Sequence, residues 1–414
     1  MNLPPFRPIL SALRRSPLMP WLLAAQVAIA CAILSNAVFL LQRQAGPLLV
    51  DDGIDGERLL LVDNLVSRNG LWDAARIAAG AEALRAVSGV EAAAPALGLP
   101  MKQSMVFNLS LRGPAGTTAR ISGFTGRGLR QALGLELLRG RDFTSEEGAT
   151  IDLAGEGVDV PSGTPVILTQ ALARHLFPEG DALGGRLEQT DGDRHLVVVG
   201  IVRHLMRYEL GQLEDGKAEF SLLLPARIVS TPVLNYALRA DPARLDEVKA
   251  AAVAALEREF GAMQMPGIAP RVDRYEDLRR EAFRPRRAAI WLLGSVIAVV
   301  LAVTGIGIAG LSGYWVEQRL RGIGIRRALG ATRGDVLRHF LAENFLVVGA
   351  GLVPGSIMAY AVNLWLMQHY ALPRLPWPYL PLGALALWAL GQFAVIGPAR
   401  RAAAVPPAVA TRSA

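Results

Sequence analysis

Residues 317–331 read EQRLRGIGIRRALGA and lie between two long uncharged runs. Arg319, Arg321, Arg326 and Arg327 fall on an expected helix, with Ile323, Ile325 and Leu329 between them. Gly330 follows the last apolar residue, where the C′ position of a helix favours a residue that tolerates positive φ. Thr332 then has the character of an N-cap, and Asp335 three residues later completes a capping box. The expectation is a helix, a tight turn and a second helix, with arginines crowded at the corner.

Outward from this corner the chain is apolar. Uncharged runs cover 288–316 before it and 344–373 and 375–399 after it, and a fourth covers 21–42. About 20 apolar residues cross a bilayer as a helix, so each run is long enough. Pro354 and the prolines at 373–381 bend or delimit the last two. The first run is longer than a signal-peptide core and lacks a clean small-x-small site, so it is expected to be retained. The fold class is therefore an α-helical membrane protein of four transmembrane helices, with a large extracytoplasmic α+β domain between helices one and two. The expected division is a 1–20 tail, helix 21–42, a 43–287 domain, helix 288–316, a 317–343 loop, helices 344–373 and 375–399, and a 400–414 tail.

Charge placement orients this arrangement, because short cytoplasmic segments carry excess Lys and Arg. Arg7, Arg14 and Arg15 stand without acids in the N-tail, as do Arg400, Arg401 and Arg412 at the other end. The 317–343 loop sets six arginines against Glu317, Asp335 and Glu343. The 43–287 segment, by contrast, holds 30 basic and 33 acidic residues. Both termini and the arginine corner are thus expected in the cytoplasm, and the large domain outside. Arg279, Arg280, Arg284, Arg286 and Arg287 crowd the outer approach to the second helix, where a solvated juxtamembrane helix accounts for them.

Within the insert, 58–63 (RLLLVD) reads as a strand, 71–87 as a helix and 90–96 as a strand. Near its end 233–239, 242–260 and 268–273 repeat the strand, helix, strand pattern. Two such units flanking a middle section indicate a split βαβ domain with an insertion. In that middle section 105–111 and 195–202 read as short strands, and the glycines at 123–128 and 184–185 as turns.

The ordered pattern E-x-R-x-R-x-I-G-I-R-R-A-L-G-A followed by T-R-x-D resembles the cytoplasmic motif of MacB/FtsX-type ABC permeases, the type VII ABC transporters. In that family it follows the second transmembrane helix and contacts the ATPase subunit. The resemblance implies ATPase coupling through Glu317, Arg319, Arg321, Ile323, Gly324, Ile325, Arg326, Arg327, Leu329 and Gly330. This chain has Gly322 where the family usually carries an acidic residue, which removes a salt-bridge partner and adds a flexible point beside Gly324. PVILTQALARHLFPEGDALGGRL (165–187) and HLVVVGIV (195–202) resemble the MacB-type periplasmic domain, a porter-like part carrying an inserted lobe, here at about 101–227.

The absences narrow the function. The chain has no G-x-x-x-x-G-K-[ST], and Gly216-Lys217 is followed by Ala218, so it cannot cradle ATP phosphates by that route. No spacing of His or Cys marks a metal site, and the five histidines are scattered. Cys31 is the lone cysteine, which excludes an internal disulfide framework. The arginines flank membrane spans, which gives no indication of nucleic acid. Gly307, Gly310 and Gly313 on the second helix and Gly351 and Gly355 on the third have the spacing of close helix packing. No charge lies inside any of the four runs, which argues against an ion or proton path.

The chain itself is expected to bind no cofactor and to catalyse no reaction; the resemblance places ATP and Mg on a partner ABC ATPase dimer. It also implies a second permease chain (identical or a paired paralogue), a periplasmic adaptor and outer-membrane duct, and an inner-membrane location. The implied mechanism is mechanotransmission, with a continuous helix over 288–329 reaching about 60 Å unless Gly322 and Gly324 break it. Efflux of substrates such as antimicrobial compounds or peptides is favoured by the long, two-lobed insert. The alternatives are an FtsX-like regulator of a cell-wall hydrolase and a lipoprotein-release permease.

Overall fold

The computed structural model describes residues 18–102, 107–153, 157–190, 194–208, 213, 216–370 and 373–404. Arg7, Arg14, Arg15 and Arg412 lie outside the described residues. The chain divides into two units, Gly46–Pro285 and a second made of Met1–Ala45 with Arg286–Ala414.

Helix α1 (Leu18–Leu49) is followed by the first unit, an α+β domain. Its framework is β1 (Leu59–Val66), α2 (Ala74–Arg85), β2 (Val90–Pro95), β3 (Val233–Ala240), α3 (Leu245–Phe260) and β4 (Arg271–Arg274). These strands pair antiparallel in the order β4-β1-β3-β2, with Leu61 opposite both Ala237 and Asp273. That order is the split βαβ arrangement expected from the sequence. The run Leu59-Leu60-Leu61-Val62 does not alternate because both faces of the sheet are covered. Leu60 and Val62 pack with Ile77, Leu84, Val248 and Leu256 of the two helices. Leu59 and Leu61 pack on the opposite face with Phe124, Leu129 and Leu133 of the inserted lobe.

Local chemistry sets the helix ends. Asp73 caps α2 by accepting from the Arg76 amide at 2.8 Å, so the helix starts at Ala74 and not at 71. Trp72 before it joins a short strand pairing, stacks edge-to-face on Phe260 at 5.0 Å and donates from Nε1 to the Leu65 carbonyl at 2.8 Å. Helix α3 buries Leu245, Val248, Ala252 and Leu256 at helical spacing, and Pro242–Arg244 before it is a 3-10 turn. Its first turn carries Asp246 and Glu247 and its last Arg258, which suits the helix dipole.

The second lobe is inserted between β2 and β3. Among the described residues its main sheet has seven strands, in the order Arg186–Gln189, Phe107–Arg112, Thr118–Thr125, Ser221–Leu224, Thr164–Thr169, His195–Val202 and Leu137–Gly140. Thr164–Thr169 and His195–Val202 run parallel, with helix Gln170–Leu176 between them in sequence, capped by Thr169. Gly123 lies in a strand opposite Phe107, where the glycine pattern predicts a turn. The Phe107 side chain covers the Gly123 position and leaves no room for a Cβ.

The other unit is a helical bundle of α1, α4 (Arg284–Gln318), α5 (Leu320–Ala328), α6 (Arg333–Tyr370) and α7 (Tyr379–Ala404). Among the described residues, four of these helices, all but α5, are long and apolar enough to cross a membrane. Helix α1 is the most enclosed, with 61% of its most apolar window buried, and α4 the least, with 11%. Two amides of α1 reach across to backbone carbonyls: Gln26 Nε2 to Val303 at 3.2 Å and Asn36 Nδ2 to Ala359 at 2.9 Å. These bonds tie α1 to α4 and α6, the one from Asn36 in a buried setting.

Candidate functional site

The arginine corner is an elbow between α4 and α6. Helix α4 ends at Gln318, and Arg319 leaves helical geometry at φ −111°, ψ 7°. Helix α5 then runs to Ala328, and Gly330 turns the chain at φ 102°. Thr332 and Asp335 cap each other to start α6. The Asp335 amide donates to Thr332 Oγ1 at 3.2 Å, and Asp335 Oδ2 accepts from the Thr332 amide at 3.1 Å. The turn and the capping box are therefore local products of the sequence.

The expected continuous rod from 288 to 329 is not present. It is interrupted at Arg319, whereas Gly322 and Gly324 both lie inside α5. At the interruption, Arg319 Nη1 donates to Glu343 Oε1 of α6 at 2.6 Å, and its guanidinium lies 4.7 Å from the Trp315 ring centroid of α4.

Elbow residues divide into an inward and an outward set. Ile323 and Gly324 are buried, and Ile323 joins a core of Trp315, Val316, Val336, Phe340 and Val395. Ile325 is 49% exposed and Leu329, one turn on, 83% exposed. Residues four apart on a helix share a face, so these two form an apolar outward stripe. Arg327 is half-buried, and Glu317 and Gly322 are exposed. The side chains of Arg321 and Arg326 lie outside the described residues.

Glu343 is the residue that charge counting misplaces. Assigned to a cytoplasmic loop, it is 1% exposed within α6, beside Asn344 at 5%. Its Oε2 and the Asn344 Nδ2 have no hydrogen-bond partner among the described residues. A small cavity touches Glu343, Asn344, Ser312, Trp315 and Phe340. The signal is present in the sequence: Val336, Phe340, Glu343 and Val347 recur at three- and four-residue spacing, the period of a buried helix face.

The packing glycines also divide. A Cβ at Gly351 would lie 2.5 Å from the Ala24 carbonyl oxygen, and one at Gly355 would lie 2.8 Å from Cys31 Cβ, both on α1. Gly307 faces the Gln26 amide, while positions 310 and 313 have no atom within 4 Å of such a Cβ.

Among the described residues the chain thus combines four helices long and apolar enough to cross a membrane, an α+β domain following the first and a basic elbow following the second. Residues 294–407 match the FtsX-like permease C-terminal family, and the chain carries that permease domain. Among relatives, the macrolide export ATP-binding/permease protein MacB of Nitrobacter winogradskyi is 30% identical over 60% of this chain and 38% of its own length. The uncharacterized ABC transporter permease YknZ of Bacillus subtilis is 25% identical over 72% of this chain and 70% of its own. The periplasmic region of MacB from Actinobacillus actinomycetemcomitans matches at TM-score 0.35 and 14% identity, covering 58% of this chain and 98% of that one. The chain thus spans well under half the length of the MacB relative it matches.

Proposed function

We propose that this chain is the permease subunit of a MacB-type ABC transporter and passes ATPase-driven motion across the inner membrane to its α+β domain. The observation that carries the reading is the elbow's outward face. Ile325 and Leu329 expose a contiguous apolar stripe beside Arg327, on a short helix whose other face is anchored in the bundle. Apolar surface of that kind, rimmed by charge, fits a protein partner. In this reading the partner is an ABC ATPase dimer, which supplies ATP and Mg, and a second permease chain completes the assembly. The termini and elbow are cytoplasmic and the α+β domain is periplasmic, as the arginine placement supports. Substrates are antimicrobial compounds or peptides taken from the periplasm through an adaptor and outer-membrane duct; the relative named for macrolide export supports efflux.

The test is ATPase stimulation by the reconstituted permease, with membrane insertion checked in parallel. Leu329→Asp places a charge in the apolar stripe and is expected to abolish stimulation. Changing Arg326 and Arg327 both to Lys keeps the charge that orients the protein but removes the planar fork. Removing each charge-assisted hydrogen bond costs about 1.5–3 kcal/mol. Normal stimulation by both variants would show that the elbow does not couple the permease to the ATPase.

A further inference from the structure

Among the described elbow side chains, Arg319 makes a charged contact within the chain, to Glu343 of α6. We propose that Arg319 and Glu343 form an intramolecular positioning pair that fixes the angle at which α5 leaves α4. The inference rests on the coupling role proposed for the elbow, and it reassigns Arg319 within that role from partner contact to internal brace.

Three observations meet at this pair. The helix breaks at Arg319, and the residues that follow, Gly322 and Gly324 included, are helical through Ala328. Its guanidinium is held on two sides, by Glu343 Oε1 at 2.6 Å and by the Trp315 ring at 4.7 Å. Glu343 is almost fully enclosed, and Arg319 is its ion-pair partner among the described residues. A carboxylate buried beside apolar helices is costly unless its counter-charge is fixed in place. Arg319 supplies that counter-charge from the junction of α4 and α5. The hydrophobic anchor at Ile323 is non-directional and holds α5 down without setting its direction. The ion pair and the stacked ring supply that direction. Ile325 and Leu329 are thereby presented at a preset angle, and a push on them is transferred through Glu343 into α6 as well as along α4.

The experiment uses the full chain in lipid nanodiscs, with Cys31→Ala and spin labels on cysteines at Ile306 and Leu329. Both positions are exposed, at 73% and 83%. The distance distribution between them reads the α4–α5 angle without any ATPase. It is expected to be narrow in the parent chain, to broaden in Glu343→Gln and in Arg319→Met, and to broaden no further in the double variant. Arg319→Lys keeps the charge and loses the fork and the stacking, so it gives partial broadening and serves where the neutral variants fail to insert. ATPase stimulation is measured in unlabelled samples of the same variants and is expected to fall equally in the single and double changes.

A distribution that stays narrow in all variants overturns the pair, whatever stimulation does. Narrow distributions with stimulation lost only in the Arg319 variants would return Arg319 to the partner surface. Broad distributions with full stimulation would keep the pair and overturn the coupling role of the elbow instead.

Discussion

Gly355 lies directly against Ala28: a Cβ added to the glycine would sit 2.9 Å from the Ala28 Cα and 2.8 Å from the Cys31 Cβ. One turn earlier Gly351 makes the same approach to Ala24, so α6 and α1 touch backbone to backbone. Gly351→Val and Gly355→Leu are therefore expected to lower the thermal stability of the detergent-solubilised chain. Overpacking of this kind costs about 1–3 kcal/mol. Gly310→Val, where nothing lies within 4 Å, is expected to leave stability unchanged. Equal loss at all three positions would mean that close approach does not set the effect, and helix propensity could not supply it, because Val and Leu are both better helix formers than Gly.

How much of the fold and site is legible in the sequence depends on whether the cause is local. The Thr332–Asp335 box and the positive φ of Gly330 follow from a few adjacent residues, and the sequence pattern locates them. Arg319, where α4 ends, pairs with Glu343, 24 residues away, and a short sequence window does not join the two. At Trp72 local and distant causes meet: the Asp73 cap starts α2 at Ala74, while pairing to Thr231 and stacking on Phe260 hold Trp72 in a strand. Glu343 escapes a charge-based reading because a carboxylate ordinarily marks the end of a span, whereas here its partner makes burial tolerable.

Asn235 and Tyr236 make opposite predictions on adjacent positions of β3. Both are 0% exposed, but the Asn235 side-chain nitrogen and oxygen have no partner among the described residues. The Tyr236 hydroxyl donates to the Ile77 carbonyl at 2.9 Å. Asn235→Leu removes an uncompensated desolvation cost of about 1–3 kcal/mol and is expected to raise the unfolding temperature. Tyr236→Phe removes a hydrogen bond and is expected to cost about 0.5–1.5 kcal/mol. A destabilised Asn235→Leu variant would show that this amide is not an uncompensated cost.

Glu147 sets a pH dependence in the inserted lobe. Arg141 holds both carboxylate oxygens, at 2.6 and 2.8 Å, and the Thr144 amide adds a third bond at 2.9 Å. These bonds, those from Arg141 foremost, lower its pKa from 4.5 to about 2. A depressed folded-state pKa gives stability that is present above pH 4.5 and lost as pH falls towards 2. Linkage alone would make this about 3 kcal/mol, but Arg141 is half exposed, and solvent screening reduces it to about 1 kcal/mol. Melting curves at successive pH values are expected to fall less steeply for Glu147→Gln below pH 4.5 than for the parent. Parallel curves for the two proteins would show that the fork contributes nothing to acid sensitivity.

Orientation underlies every mechanistic step and is directly measurable. Cys31 is the sole cysteine and is fully buried against α6, so Cys31→Ala gives a cysteine-free background, whose own stability is the reference for each variant. Single cysteines at Ser88 and Ser145, both outside the hydrophobic cores of the α+β domain, are expected to react in intact cells with a thiol reagent that cannot cross the inner membrane. For the elbow the suitable position is Gly322, which is exposed and has no atom within 4 Å of an added Cβ. Thr332 is less suitable, because its hydroxyl caps α6 and its loss costs about 1 kcal/mol. A cysteine at Gly322 is expected to stay unlabelled until the membrane is permeabilised. Labelling at Gly322 from outside, or protection at both serines, would place the arginine corner on the periplasmic side. No cytoplasmic ATPase could then press on Ile325 and Leu329, and the apolar stripe would have to meet a periplasmic partner instead.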